Sequence, residues 1–599
     1  MQEKVSAYYQ SRITTEETGL KKIRKILFNF YLFRLFTFLL FLVFLNLYFR
    51  SGNQVILLIL SLASLVAFLV SVKFDLKFRF LEKYSSNKLL LNNNELKILD
   101  HQYSDRETGS CFHYLNPSLA ADFDLLGPGS LFQYLNRCST LGGKLKLAKA
   151  LCQLRQEELV ISEKQEAIRE LTEKNEFVQD FQTHGMFITE KGNELSNLQS
   201  WLDQPFEKSR LLQMLAILIP IFNLGWITMV ILGPFTVNSL DVPILLSLSI
   251  VGFNLKKINE AHLLLTKTAG TLKSYTTVIR KIEEEEFRAD YLTRLQGLFR
   301  RQDIKAGDSL TKLFKLLNSF DFRLNLPVSI LLNAFLIYDI QIWLRLGNWK
   351  TRHKETVPQW FDALYNFDAL TSFSVYAFNN QETVTYPQIS EEEFTFQAEE
   401  MGHPLLHPAT RVCNSFGFSG SPRIMIITGA NMAGKSTFLR TLSVNVVLAM
   451  NGAPVCAKNF IFTPCDILSS IKIQDSLSNN ESYFYAELTR IREIIEHLKT
   501  QPRTLVVLDE ILRGTNSRDK QAGSRGLLEK LISLNAVVLV ATHDLSLGEM
   551  EKSYPDIVLN NCFEVELTND QLIFDYKLKK GISQKLNASF LMKKMQIID

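Results

Sequence analysis

No C-x-x-C pair occurs among the seven cysteines, which lie scattered at Cys111, Cys138, Cys152, Cys413, Cys456, Cys465 and Cys562 of 599 residues. An odd, dispersed set argues against a disulfide framework or a zinc site and suits a reducing compartment. A large excess of one charge sign is missing too. The net charge of +4 is too small to argue for nucleic acid by itself, and no basic–aromatic stripe stands out. The first apolar stretch has a long basic lead and no A-x-A site after it, so a cleaved signal peptide is not expected. The most informative deficit is local: several long stretches carry no charge at all.

Residues 1–25 are polar and end in Lys21, Lys22, Arg24 and Lys25. The apolar ILFNFYLF follows, then Arg34, then the uncharged Leu35–Phe49; after Arg50 come the 22 uncharged residues Ser51–Val72. About 20 apolar residues cross a bilayer, so this pattern predicts a transmembrane hairpin, with Arg34 shortening the first span or snorkelling to its edge. Lys73, Lys77, Arg79 and Lys83 follow the second span. Basic residues on both outer ends place those ends in the cytoplasm. A second hairpin is expected at 211–255: Leu211–Leu240 is uncharged but broken by Pro220 and Gly233-Pro234, and Val242–Leu255 runs uncharged to Lys256-Lys257. Four spans result. The 12 apolar residues Leu326–Ile337 are too short to cross and read as a buried soluble helix. The acidic run Glu283–Glu286 reads as a solvated helix face rather than a metal site.

From about residue 400 short β-branched runs alternate with helices, the texture of an α/β domain on a largely parallel sheet. Within it, Gly429-Ala430-Asn431-Met432-Ala433-Gly434-Lys435-Ser436 follows the apolar IMIIT and opens a helical pattern at Thr437. That is G-x-x-x-x-G-K-S in its strand–loop–helix setting, a nucleotide site. The glycines let N–H groups turn toward phosphate, Lys435 reaches the β- and γ-phosphates, and the Ser436 hydroxyl is placed for Mg²⁺. Thr504–Leu508 is a buried-strand pattern ending in Asp509-Glu510, 74 positions after Lys435. Asp509 fits the Mg²⁺ shell and Glu510 a general base for water. A second such strand, Ala536–Ala541, ends at Thr542-His543-Asp544, and an imidazole there can hydrogen-bond the γ-phosphate.

GANMAGKST, LDEILRGTNS, VATHD and YKLKKGIS together resemble the ATPase domain of the MutS family. Ser130–Leu151 and Gln165–Leu171 are more loosely similar to that family's core, or lever, domain. The resemblance implies an ABC-type ATPase that uses ATP and Mg²⁺, binds DNA and works as a homodimer with composite sites. It implies that Ser482, in NNESYFYAEL, reaches the partner's nucleotide, that Gly514-Thr515-Asn516 is a dimer-contact loop, and that His403-Pro404 marks the domain entrance. Departures are expected as well. A membrane hairpin stands where mismatch-reading relatives carry an α/β domain with a Phe-x-Glu wedge, and the literal Phe80-Leu81-Glu82 falls in the basic segment after the second span. No clamp domain and no C-terminal dimerisation module are evident.

The expected organisation is multidomain. A cytoplasmic tail and hairpin occupy 1–84, a helical core/lever region 85–345 holds the second hairpin, a junction spans 346–400, and an α/β P-loop ATPase domain fills 401–599. The function expected is a DNA-binding ATPase of MutS type, anchored in the cytoplasmic membrane with its ATPase domain in the cytoplasm. An ABC-type transporter ATPase is the alternative; only four spans and no LSGGQ-like run before the acidic strand weigh against it.

Overall fold

The computed structural model describes residues 2–51, 54–154, 157–190, 193–266, 268–301, 304–391, 394–420, 423–430, 432–472, 483–512, 516–568 and 571–584. The long helices considered are, in chain order, α1 (Gln2–Arg50), α2 (Val55–Leu99), α3 (Glu158–Glu173), α4 (Arg210–Ile231), α5 (Asp241–Leu265), α6 (Leu326–Leu336), α7 (Tyr338–His353), α8 (Thr356–Asn379), α9 (Lys435–Met450), α10 (Tyr483–Thr500) and α11 (Ser517–Ser533). The strands of the C-terminal region are β1 (Gln388–Ile389), β2 (Thr395–Met401), β3 (Asn414–Ser419), β4 (Ile424–Gly429), β5 (Asn459–Phe462), β6 (Asp466–Ser470), β7 (Thr504–Asp509), β8 (Val537–Thr542), β9 (Val558–Thr568) and β10 (Gln571–Lys580). The chain is thus mostly helical, with an α/β region at its C-terminal end. It divides into two compact units, one of residues 1–137, 147–183 and 370–599, the other of 138–146 and 184–369.

In the first unit, six strands lie in the order β10-β9-β4-β8-β7-β6. All neighbours are parallel except β9 and β10. Fully buried runs such as IMIITG and TLVVLD form such strands because both faces of the sheet are covered. Alternate residues Ile424, Ile426, Val506, Leu508, Val538 and Val540 pack with Ile494 and Leu498 of α10 and Leu528 and Leu531 of α11. A smaller sheet, β1-β5-β2-β3, lies in the same unit. Register brings Asp509 level with Ala541, and Thr542 level with Thr428, so these strands end together at one edge.

The same unit holds α1 and α2, an antiparallel pair whose register is set by Arg24–Glu82 at 3.0 Å and Arg34–Asp75 at 3.2 Å. Arg34 is therefore not merely at a span's edge: its guanidinium meets both Asp75 oxygens, and Arg79 Nε adds a bond at 2.7 Å. A partner 41 residues away along the chain makes a charge tolerable between apolar helices. Glu82 being held by Arg24, Phe80-Leu81-Glu82 is part of an unbroken helix. The polar tail is helical as well, and Tyr9 is buried with its hydroxyl donating to Asn379 Oδ1 at 2.7 Å. Beside it, Glu95 and Arg137 form a buried two-bond pair at 3.1 and 2.9 Å, and Asn379 Nδ2 donates to Glu95 at 2.7 Å. Residues Phe28–Leu76, by contrast, show solvent a belt of Phe, Leu, Ile and Val.

In the second unit α4 and α5 carry similar belts. Among the described residues, four helical stretches each hold a segment long and apolar enough to cross a membrane: Glu3–Arg50, Val55–Leu99, Arg210–Ile231 and Val237–Leu265. Ser209 caps α4, its hydroxyl accepting from Leu212 N at 3.3 Å. Two expectations need correction here. The run Leu326–Ile337 is not a buried soluble helix: Leu326, Ile330 and Leu331 of α6 are more than half exposed, because the helix lays only one side on α4 and α5. The run Glu283–Glu286 is not wholly solvated either. Glu283 is buried and accepts from Gly307 N at 3.1 Å, satisfying a donor at a helix start. The stretch 346–400 contains the end of α7, all of α8 and β1, and all but the last residue of β2.

Candidate nucleotide site

The strand β4 delivers the glycine-rich loop to the edge where β7 and β8 also end. Gly429 has φ 150° and Gly434 φ 107°. A Cβ on Gly429 would sit 2.7 Å from the Phe563 carbonyl oxygen of neighbouring β9, so the tight approach of the two strands requires glycine there. Lys435 opens α9, and its Nζ donates to the Gly429 and Ala430 carbonyls at 2.8 and 2.9 Å. A buried ammonium needs such acceptors.

A cavity of about 560 Å³ opens beside this loop, lined in part by Met432, Gly434, Lys435, Ser436, Thr437 and Glu510. Ala433 is buried in the loop, and Asn431 lies outside the described residues. Asp509 is buried at the end of β7, next to Glu510 but not on the cavity wall. Glu510 itself adopts φ 54°, with its backbone N donating to Ala541 O at 2.8 Å. A non-glycine residue in that region is a strained conformation that turns the side chain off the strand line. His543 Nδ1 stands 3.7 Å from Glu510 Oε1. The structure thus gathers Lys435, Ser436, Thr437 and Glu510 at one cavity with His543 beside Glu510. Ser482, Gly514 and Thr515 lie outside the described residues; Asn516 caps α11 through a bond from Asp519 N at 3.0 Å.

Sequence reasoning missed several neighbours. Asn414, Phe563 and Tyr576 line the cavity, and Asn414 Nδ2 donates to Tyr576 O at 3.0 Å. Tyr576 was within reach, since it begins the YKLKKGIS run; nothing local marks Asn414. Glu487 is buried in α10 and accepts from Leu512 N at 2.6 Å, fixing the turn after Glu510. Asp122 is buried too, taking bonds from Ser469 Oγ at 2.7 Å and Lys472 N at 2.6 Å. Burial nevertheless holds its carboxyl above the ordinary range. His403 lines the cavity and accepts from Leu405 N at 3.2 Å. Burial lowers its pKa to about 4, against the pull of Asp124 and helped by Arg440.

The MutS domain V family model matches residues 425–595, from the loop's own strand onward. DNA mismatch repair protein MutS of Thermotoga maritima is 31% identical over 237 residues, 39% of this chain and 29% of that protein. The Chlorobium phaeovibrioides protein of the same name is 32% identical over 226 residues, 37% of this chain and 25% of its own. MutS protein homolog 4 of Homo sapiens is 30% identical over 203 residues, 32% and 21% respectively. The matched stretches therefore span less than a third of each of these relatives. The C-terminal region is thus a MutS domain V by this match, and over it the chain is similar to MutS proteins.

Proposed function

We propose that the chain is a membrane-anchored ATPase of MutS type that binds DNA and acts as a homodimer, with its ATPase region in the cytoplasm. The observation that carries this reading is the meeting of Lys435, Ser436 and Glu510 on one cavity at the common edge of parallel strands. The residues fit ATP: a loop bounded by two positive-φ glycines and opening a 16-residue helix is a phosphate cradle. Lys435 Nζ would exchange two carbonyls for β- and γ-phosphate oxygens. The Ser436 hydroxyl and Asp509 carboxylate are hard oxygen donors suited to Mg²⁺. When bound, that ion neutralises charge developing on the transferred phosphoryl group. Glu510 accepts the proton of the attacking water, and His543 beside it hydrogen-bonds the γ-phosphate.

The apolar belts of α1, α2, α4 and α5, flanked by basic residues, support anchoring by four spans. DNA as partner is supported by the names of the relatives, and the homodimer by the resemblance of NNESYFYAEL and its Ser482. Purification in detergent and ATPase assay with duplex, mismatched, single-stranded and four-way DNA tests the reading. Stimulation by DNA is expected; indifference to every DNA, with solute-stimulated turnover in liposomes, would replace it by the transporter alternative.

A further inference from the structure

The helix α6 ends in a way that water does not explain. Its last carbonyls all accept from protein groups: Asn333 O from Ile337 N at 3.2 Å, and Ala334 O and Phe335 O from Asn223 Nδ2 at 3.4 and 2.8 Å. Leu336 O accepts from Gln341 Nε2 at 3.0 Å, and Ile337 O from Ile340 N at 3.1 Å. Helix C-termini ordinarily leave up to four such carbonyls to solvent or a glycine cap. Here the capping donor is a buried asparagine in the middle of α4, which also donates to Ser247 Oγ of α5 at 2.9 Å. The break residue is Ile337 with φ 43°, a β-branched side chain where glycine would be expected. Beyond it α7 leaves at an angle of 83°.

We propose that α6 and the start of α7 form a re-entrant membrane element, with the outer side of α6 against lipid acyl chains. The proposal rests on the reading of α4 and α5 as spans. Hydrocarbon forbids unsatisfied backbone at its own depth, and tolerates a helix break only where protein groups satisfy it; the accounting at residues 333–337 meets that condition. The depths agree. Arg323, just before α6, meets Asn259 of α5, while Ala334 and Phe335 meet the Asn223–Ser247 level. Ser247 lies nine residues inside Lys256, about 14 Å along a helix, and the 11 residues of α6 rise about 16 Å. Half of a hydrocarbon core is about 15 Å. From Leu324 to Tyr338 the chain has no charge. The flanking charges turn inward on each other, Arg323 to Asp339 at 3.5 Å, with Asp339 buried and the Arg323 side chain 10% exposed. Leu326, Ile330 and Leu331 are exposed as the apolar residues of α4 and α5 are, on a helix that packs against both.

The test places single cysteines at Leu331 of α6, at Ile217 of α4 and at Leu159 of α3, all exposed. The full chain, with Cys111 and Cys413 changed to serine, is reconstituted in phosphatidylcholine–phosphatidylglycerol vesicles and carries a nitroxide or meets a membrane-impermeant maleimide. Leu331→Cys is expected to behave as Ile217→Cys: high collision rates with oxygen, and labelling more than about tenfold slower than at Leu159→Cys. A water-like Leu331→Cys beside a lipid-like Ile217→Cys overturns the re-entrant element and leaves the anchor standing. Water-like behaviour at both overturns the anchor reading and this inference with it.

Discussion

Replacing Glu95 by alanine removes one half of a pair that has nowhere else to go. Both side chains are under 5% exposed, and two bonds at 3.1 and 2.9 Å join them. Burial alone would raise the Glu95 pKa, yet Arg137 overcomes it and the carboxyl lies below its ordinary value. Glu95→Ala therefore strands a buried guanidinium and strips Asn379 Nδ2 of its 2.7 Å acceptor. Stranding a buried charge costs about 3–5 kcal/mol. Glu95→Leu with Arg137→Met restores packing without any charge, and such replacements run from neutral to stabilising by about 1–4 kcal/mol. The cycle of single and double variants is measured by thermal unfolding of the full chain in detergent. A large loss in each single variant and recovery in the double is expected. Additive losses, or an unchanged Glu95→Ala, would refute the reasoning that each side chain is tolerated in the interior only because the other is there.

Lys435→Ala should abolish nucleotide binding measured with a fluorescent ATP analogue, whereas Glu510→Gln should bind and turn over at least about 100-fold more slowly; wild-type turnover by the latter would remove Glu510 as base. Gly429→Ala pushes a methyl against the Phe563 carbonyl and should cost about 1–3 kcal/mol together with nucleotide affinity, read by melting with and without ATP. His403, neutral when folded with its pKa near 4, takes up its proton only on unfolding between about pH 4 and 6.5, so stability falls as pH drops through that window, by at most about 3 kcal/mol. His101, lowered to about 4 mainly by burial, acts in the same direction; His403→Gln should flatten the melting-temperature profile between pH 7 and 5, and an unchanged profile counts against the assignment. Any DNA binding is expected to rest on phosphate contacts, so affinity should fall steeply with salt and differ less than about tenfold between matched and mismatched duplexes; a larger preference at fixed salt contradicts this.

The strand–loop–helix around Lys435 was legible because its chemistry is packed into eight consecutive residues, and the strand ends at Asp509 and His543 because a buried strand is a run of apolar residues with an abrupt polar stop. What escaped depends on residues far apart in sequence. The short run at α6 gave no sign of its surroundings, since the asparagine that satisfies its end sits 111 and 112 positions before the carbonyls it caps. Arg34 read as an edge charge because Asp75 is 41 positions on. Asp122 and Asn414 belong to no periodic pattern; their partners at Ser469, Lys472 and Tyr576 exist only in the folded chain.

The unbroken course of α1 has a mechanical meaning. From Tyr9, pinned at Asn379, to Arg34, where the charge-free section begins, are 25 residues of continuous helix braced by α2. That is on the order of 40 Å. On the proposed topology the anchor is a mast and not a leash: it fixes the height of the ATPase unit above the bilayer instead of letting it wander. DNA would then have to come to the membrane surface to be gripped, and the search for a site becomes two-dimensional, carried by diffusion of the protein in its bilayer. Any closing of the dimer would be felt by the lipid as a tilt of that mast.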